Sequence, residues 1–476
     1  MQSLLSLASL NDGIRAAMFK RLSSVELARV RRCSRLLQSL VDSRNAIFAI
    51  MRNRGLLSRA QAPMRGGETA LDFFNFAERL RSSDRIRVPG VLIGFGSTLD
   101  GQLGISDRRD SVYPRLVPNA VRIVQIACGA RHSAAVVVDG TLLTFGCGFD
   151  GQLGQGETLG CRTPEPVRDL EGTPIYHVAC GAVHTAVVTA KGLFTFGSGQ
   201  FGRLGLGDAR SRNRPALVPS LELESVTYVS CGSKHTCALT SDGKLFSMGS
   251  GQYGQLGHGM KSNSLSPVRI EHVGIVVRVS CGGEHTAIID ELGNLSTFGF
   301  GFNGQLGHDD CHDVSTPTPV RSFEQTRVVH VACGSHHTVV FTQQGELFAF
   351  GRGTSGQIAD NQRPTYQPVP NRVSVICPSR HVVLHVVCGS KHTAVVVAES
   401  EGASPELANG HRVACERTLR LYTFGEGMNG RLGYSDEACD RPTAVDLSGL
   451  NFGCSALRVA CGEEHTLVLC AEAEVS

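Results

Sequence analysis

A six-residue turn, Cys-Gly-x-x-His-Ser/Thr, occurs seven times in this chain, beginning at Cys128, Cys180, Cys231, Cys281, Cys333, Cys388 and Cys461. Successive starts lie 52, 51, 50, 52, 55 and 73 residues apart. A period near fifty residues signals an array of supersecondary units, each too small to bury a core alone. Length would suggest about three domains, but the array overrides that count. The chain must fold as repeats first.

Each unit follows one plan. A β-branched run such as Val328-Val-His-Val-Ala332 enters the turn, and a second strand follows it. A short hairpin around a glycine such as Gly345 leads to a third strand ending in Phe350-Gly351. A glycine-rich turn comes next, as in Phe95–Gly104, Phe145–Gly154, Phe196–Gly205, Met248–Gly257, Phe298–Gly307, Phe350–Ala359 and Phe424–Gly433. A polar loop then reaches a proline and a valine: Pro114/Val117, Pro166/Val167, Pro215/Val218, Pro267/Val268, Pro319/Val320, Pro368/Val369 and Pro442/Val445. Proline lacks an amide donor and so suits an outer edge strand. Four short antiparallel strands per unit make a propeller blade.

The ends of the array are complementary. The first glycine-rich turn has no Cys-Gly-x-x-His before it, and the last Cys-Gly-x-x-His has no glycine-rich turn after it. The two halves are expected to share one blade and leave no open sheet edge. That gives seven blades. The 73-residue spacing marks an insertion at 399–418, in a hairpin that elsewhere takes two to four residues. A flexible loop is the plain reading of it; a partner-contact element is the alternative.

Several features invite a chemical reading and do not earn it. Gly197-x-Gly199-x-x-Gly202 matches a dinucleotide fingerprint, but it recurs in most units and precedes a polar loop, not a helix. One histidine per unit spaces the seven around a ring, so three or four cannot converge on a metal unless they line the axis. A hydrogen bond within the turn is the expected role. Of 17 cysteines, seven sit at one repeat position. They read as small buried hydrophobes in a reducing compartment, not as a disulfide framework. No catalytic, cofactor-binding or metal-binding residue is expected.

Residues 1–55 differ in kind. Asn11 or Asp12 can cap a first helix, and Ser23 with Glu26 forms a capping box flanked by Leu22 and Leu27. Leu27, Val30, Cys33, Leu37 and Leu40 then fall at helical spacing. Between residues 1 and 60 eleven Arg/Lys stand against three Asp/Glu, whereas the whole chain is only +3. The readings are a solvated basic face, a nucleic-acid arm or docking on an acidic protein. Residues 56–88 read as a linker and a bracing helix over 69–82. The start lacks a basic region before its apolar residues, which argues against a signal peptide. No apolar run has membrane-spanning length.

Two resemblances follow from these residues. The repeat over 90–470 resembles the regulator-of-chromosome-condensation family. Leu10-Asn11-Asp12-Gly13-Ile14, Met18-Phe19-Lys20-Arg21-Leu22, Glu26-Leu27 and Val30-Arg31-Arg32-Cys33-Ser34-Arg35 resemble an F-box. In that motif Asn11 replaces the usual proline and Leu36 or Leu37 the usual tryptophan. The resemblance implies that Leu10, Ile14, Phe19, Leu22, Leu27 and Val30 face a Skp-type adaptor. The expected fold is mainly β: a seven-bladed β-propeller over 89–476 preceded by a small α-helical F-box-like segment.

Recognition within a rigid repeat should lie where the repeat varies. The variable turn residues Arg131, Lys234, Glu284, His336, Lys391, Glu463 and Glu464 form a candidate partner face opposite the short hairpins. The functional expectation is a monomeric, cytoplasmic or nuclear substrate receptor of a cullin-based ubiquitin ligase. Its F-box would dock the adaptor and its propeller would hold the protein target. The alternatives are a scaffold or chromatin-associated module and, by family analogy, a nucleotide exchange factor for a small GTPase. Exchange activity in relatives uses a wedge inserted in an early blade, for which spacings of 50–52 leave no room. Ultraviolet reception as in plant relatives needs tryptophans at the first variable turn position, where this chain has Ala130, Ala182, Ser233, Gly283, Ser335, Ser390 and Glu463.

Overall fold

The structure is a computed structural model, and it describes residues 90–120, 122–400, 417–448 and 456–471. The expected F-box residues and bracing helix lie outside the described residues. So do the tip of the 399–418 insertion and parts of the last repeat.

Each unit builds four antiparallel strands. In blade 5 these are Val328–Cys333, His337–Thr342, Leu347–Gly351 and Gln367–Arg372, paired in that order. The alternating β-branched residues dictate the pleat: Val331 faces Val340, and Phe341 faces Leu347. A bulge between Val328 and His330 breaks the alternation in the innermost strand. Such a bulge lets neighbouring side chains on one strand re-aim. Here Val328 and Val329 are both buried while His330 turns toward the axis.

Numbering blades by their turn cysteines, blades 1 to 6 start at Ile123, Ile175, Val226, Val276, Val328 and His381. Blade 7 is composite. Its two inner strands, Ala456–Cys461 and His465–Ala471, come from the end of the chain, and its outer two, Gly90–Gly96 and Ser111–Leu116, from the start. Gly90–Gly96 pairs with His465–Ala471 over its whole length, from Gly90 opposite Ala471 to Gly96 opposite His465. One further bridge, Gly90 to Ile123, ties this blade to blade 1. The expected ring closure is present.

The core lies between blades. Phe95, Phe145, Phe196, Phe298, Phe350 and Phe424, with Met248 in blade 3, are fully buried. Each ends a third strand and packs against a neighbouring blade. Gly104 shows why that contact needs glycine: its φ is +74°, and a Cβ there would stand 3.1 Å from the Phe145 ring. Burying each phenyl ring contributes about 1.5–3 kcal/mol, spread over every blade boundary.

All seven repeat prolines lie in outermost strands, as expected. The valine register needs correction in two blades. Val268 and Val369 are exposed, and Ile270 and Val373 fill the equivalent buried sites. In every blade the buried site is the residue just past the edge strand whose amide donates to a leucine carbonyl in the third strand. Ile270 bonds Leu245 O and Val373 bonds Leu347 O, as Val320 bonds Leu295 O, so Val268 and Val369 lie two and four residues too early. The insertion also begins later than its sequence suggests. Strands His392–Ser400 and Arg417–Gly425 continue the ladder out to Ser400 opposite Arg417, so 399, 400, 417 and 418 belong to strands. Among the described residues no helix is long and apolar enough to cross a membrane.

Candidate protein-binding face

The Cys-Gly-x-x-His turn is held by its own backbone and by its neighbour. Gly129 N donates to His132 O at 2.8 Å, and the same bond recurs in each blade. A Cβ on Gly129 would stand 2.2 Å from the His132 ring and 2.5 Å from the Gly181 carbonyl of the next blade, so no side chain fits there.

The imidazole was expected to bond within this turn, and it does not. It crosses to the next blade. His132 reaches Thr185 (2.9 Å), His184 Thr236 (2.8 Å), His235 Thr286 (2.9 Å) and His285 Thr338 (2.9 Å). His337 reaches Thr393 (3.0 Å), His392 Thr466 (2.9 Å) and His465 Ser133 (2.8 Å), which returns to blade 1. The direction of each bond is fixed. Thr185 Oγ1 gives its one proton to Gln152 O at 2.8 Å, so it accepts from His132, and Nε2 carries the hydrogen. Burial disfavours the charged form and holds His132, His337 and His465 at a pKa of about 3. These histidines are neutral struts.

The turn cysteines ring the axis as free thiols: Cys281 and Cys333 are buried in the core, and the other five are half-buried. Burial pushes the Cys180 and Cys333 thiols up to about 12, which keeps them protonated and inert. Cys237 adds a second thiol beside Cys281 and His235. That group offers three donors, one short of a structural zinc set, and His235 Nε2 is already committed to Thr286.

The variable turn residues share one face with the glycine-rich turns, as expected, but most of them are paired across blade boundaries. Lys234 Nζ lies 2.7 Å from Glu284 of the next blade, whereas Lys391 Nζ lies 3.0 Å from Glu426 within its own blade. Arg131 lies 3.8 Å from Asp100, and Glu464 3.8 Å from the buried Arg431. His336 sits beside Phe300, edge-on at 6.1 Å between ring centroids, and burial lowers its pKa. Glu463 is exposed, and its carbonyl accepts from Arg431 at 2.8 Å. The face is a mosaic of ion pairs, not alternating bare charges.

Sequence reasoning missed its apolar part. Three residues after the glycine that ends each third strand stand Leu99, Phe149, Phe302 and Met428 in blades 7, 1, 4 and 6. They are 67%, 72%, 69% and 56% exposed, far more than a folded chain leaves on most large apolar residues. Met428, Leu99 and Phe149 belong to consecutive blades, and Phe201 in blade 2 extends the arc. Their constant offset was the available signal, hidden because the turn was read for its glycines. An apolar centre beside paired charges is the composition of a protein-binding surface.

The comparisons agree with this architecture. The ultraviolet-B receptor UVR8 of Arabidopsis thaliana is 38% identical over 263 residues, 54% of this chain and 60% of its own. Human E3 ubiquitin-protein ligase HERC2 is 32% identical over 318 residues, 65% of this chain and 6% of its own. Human HERC3, a probable E3 ubiquitin-protein ligase, is 38% identical over 325 residues, 63% of this chain and 25% of its own. The chain thus spans less than two thirds of the length of these curated relatives. Among solved structures, human WBSCR16 superposes with a TM-score of 0.67 at 22% identity, covering 80% of this chain and 99% of that one. Prp20p of Saccharomyces cerevisiae gives 0.69 at 19%, covering 83% and 95%. At these identities the structural likeness establishes the fold alone. The sequence profile of the RCC1-like domain matches residues 91–468, nearly the whole described propeller, and the chain belongs to that family.

Proposed function

We propose that this chain is the substrate-recognition subunit of a cullin-based, SCF-type ubiquitin ligase, acting in the cytoplasm or nucleus. Residues 1–55 dock a Skp-type adaptor through Leu10, Ile14, Phe19, Leu22, Leu27 and Val30, and the propeller's turn face holds the protein to be modified. The observation that carries the second half is the exposed arc of Met428, Leu99, Phe149 and Phe201 beside the inter-blade ion pairs. The first half rests on the F-box resemblance of residues 10–35. The HERC relatives, named as ubiquitin ligases, support a link between such propellers and ubiquitin transfer. The chain itself performs no bond chemistry in this reading. It raises the effective concentration of target at the ligase, as any linked pair of binding modules does.

A scaffold role without a ligase is the second reading, favoured by the same face if residues 1–55 pair with something else. Exchange on a small GTPase has less support, since blades 1 to 4 repeat without an inserted wedge. Reconstitution distinguishes them. The full chain is co-expressed with a Skp-type adaptor and cullin, beside a Leu22→Asp/Leu27→Asp variant. A stable ternary complex with wild type alone supports the ligase reading, and its absence leaves the scaffold.

A further inference from the structure

Three residues before the glycine that ends each third strand, blades 1, 2, 3, 5, 6 and 7 carry Leu143, Phe194, Phe246, Phe348, Tyr422 and Ile93. These side chains join the apolar clusters between blades, Phe194 with Leu170, Phe246 with Leu221 and Tyr422 with Ile376. At the boundary of blades 4 and 5 the contact is ring on ring: Phe348 meets Phe323 edge-on, 5.3 Å between centroids. Blade 4 breaks the pattern with Ser296.

The part of blade 3 that faces Ser296 is reduced as well. Leu170, Leu221 and Phe323 end short 3-10 turns that follow the outer strands of blades 1, 2 and 4. Blade 3 has no such turn among the described residues. Val273 stands there, between His272 and Gly274, whose φ angles are +63° and +67°. Two small side chains thus replace two large ones, and a cavity of about 620 Å³ opens between the blade 3 loop and the outer strands of blade 4. Small-molecule pockets span about 300–1,000 Å³.

The cavity wall is apolar at Val273, Ile288 and Phe323 and carries two carboxylates, Asp290 and Glu324. Among the described residues no Lys or Arg lines it, and His272 is its one imidazole. Neither carboxylate belongs to an ion pair among the described residues. Asp290 is held in place, accepting from Leu292 N at 2.9 Å and Asn294 N at 2.8 Å, and a carboxylate has acceptor sites left beyond these. Uncompensated carboxylates beside an apolar wall favour a cation more strongly than they would in open water.

We propose that this recess binds a small aromatic amine. Its ring takes the place of the phenyl group that Ser296 omits, against Phe323, and its ammonium lies by Asp290 and Glu324. Ring pairs at such a contact gain more than their buried area alone supplies. The site lies among the short hairpins, is separate from the turn face, and does not depend on the ligase reading.

The chain contains no tryptophan, so the indole emission of a bound ligand can be read without interference. The test titrates the full chain into tryptamine and follows emission and anisotropy, with indole-3-propionate and N-acetyltryptophanamide as further arms. The expected result is saturable one-site binding of tryptamine with blue-shifted emission, the anion binding about tenfold more weakly or not at all. Ser296→Phe restores the side chain of the other blades and should raise the melting temperature while abolishing binding. Glu324→Gln should weaken binding a few-fold, and Phe149→Ser on the turn face should leave it unchanged. If Ser296→Phe does not fold, Val273→Leu, which introduces the residue of blades 1 and 2, decides in its place. No saturable binding, or equal affinity in the folded cavity-filling variant, overturns the proposal. Equal affinity for indole-3-propionate overturns the cationic class. Equal affinity for N-acetyltryptophanamide overturns the free amine in favour of an indole on a partner protein.

Discussion

Nε2 of His465 donates to Oγ of Ser133 at 2.8 Å, across 332 residues of sequence. That bond is the last of seven such links, and it joins the end of the chain to its first complete blade. Beside it, Gly90–Gly96 zips onto His465–Ala471. The propeller is thus closed twice, once by a strand and once by an imidazole, and each closure removes groups that would otherwise be buried without partners.

Removing one link measures the ring. Ser133→Ala leaves the His465 Nε2–H and the Gln102 carbonyl without their partner, because Ser133 Oγ also donates to Gln102 O at 2.8 Å. Orphaned buried groups cost about 1–3 kcal/mol. Urea denaturation should show a midpoint lowered by that loss divided by the slope, with the slope itself unchanged. A midpoint equal to wild type contradicts the strut role.

The same histidines set an acid limit. His132, His337 and His465 are held at about 3 in the folded chain, against an ordinary value of 6.5. Between these limits the unfolded chain binds protons that the folded one refuses, so their stabilisation is full above pH 6.5 and is lost as pH falls below it. Each such group contributes a slope of up to about 1.4 kcal/mol per pH unit. The melting temperature should fall between pH 7.5 and 5.5, above the carboxylate range, and His465→Gln should flatten that fall while lowering stability at pH 7.5. A melting temperature independent of pH in this window contradicts it.

The ion pairs of the turn face hold orientation more than stability. Lys234 and Glu284 are 2.7 Å apart but partly exposed, and such pairs contribute about 0–1 kcal/mol. Lys234→Ala should shift the thermal midpoint little, and high salt should erase the shift. A loss that persists in high salt would mean that the pair is part of the core.

The apolar arc should behave in the opposite way. Phe149→Asp with Met428→Asp changes exposed side chains only, so folding should be unaffected while partner binding is lost. Circular dichroism melting checks the first half, and comparison of the proteins captured by variant and wild type checks the second. A variant that melts early, or captures the same partners, removes these residues from the face.

Much of this architecture is legible in the sequence because repetition multiplies a weak signal. One Cys-Gly-x-x-His is uninformative; seven in register fix the blade count, and the unmatched half-units at Phe95 and Cys461 fix the closure. The role of His132 was not legible, since its partner Thr185 lies 53 residues away and periodicity carries no statement of which repeats touch. Ile270 and Val373 were missed because each edge strand also carries an exposed valine, Val268 or Val369, nearer the proline, and the buried site is set by a hydrogen bond to the third strand that sequence does not display. The charged turn residues were legible by type, but their pairing, as in Lys391 with Glu426, depends on two different turns meeting in space. Leu99, Phe149, Phe302 and Met428 were masked by the glycines around them.

The most direct test of the substrate-receptor account is the lifetime of the proteins that the turn face captures. Cells carrying wild type, the Leu22→Asp/Leu27→Asp variant or the Phe149→Asp/Met428→Asp variant are compared by pulse-chase quantification of those proteins. The account predicts that face-dependent partners live longer in both variants than in wild type, yet remain bound to the Leu22→Asp/Leu27→Asp chain. Partners that bind the face but keep the same half-life in all three would contradict it, and the propeller would then be a scaffold.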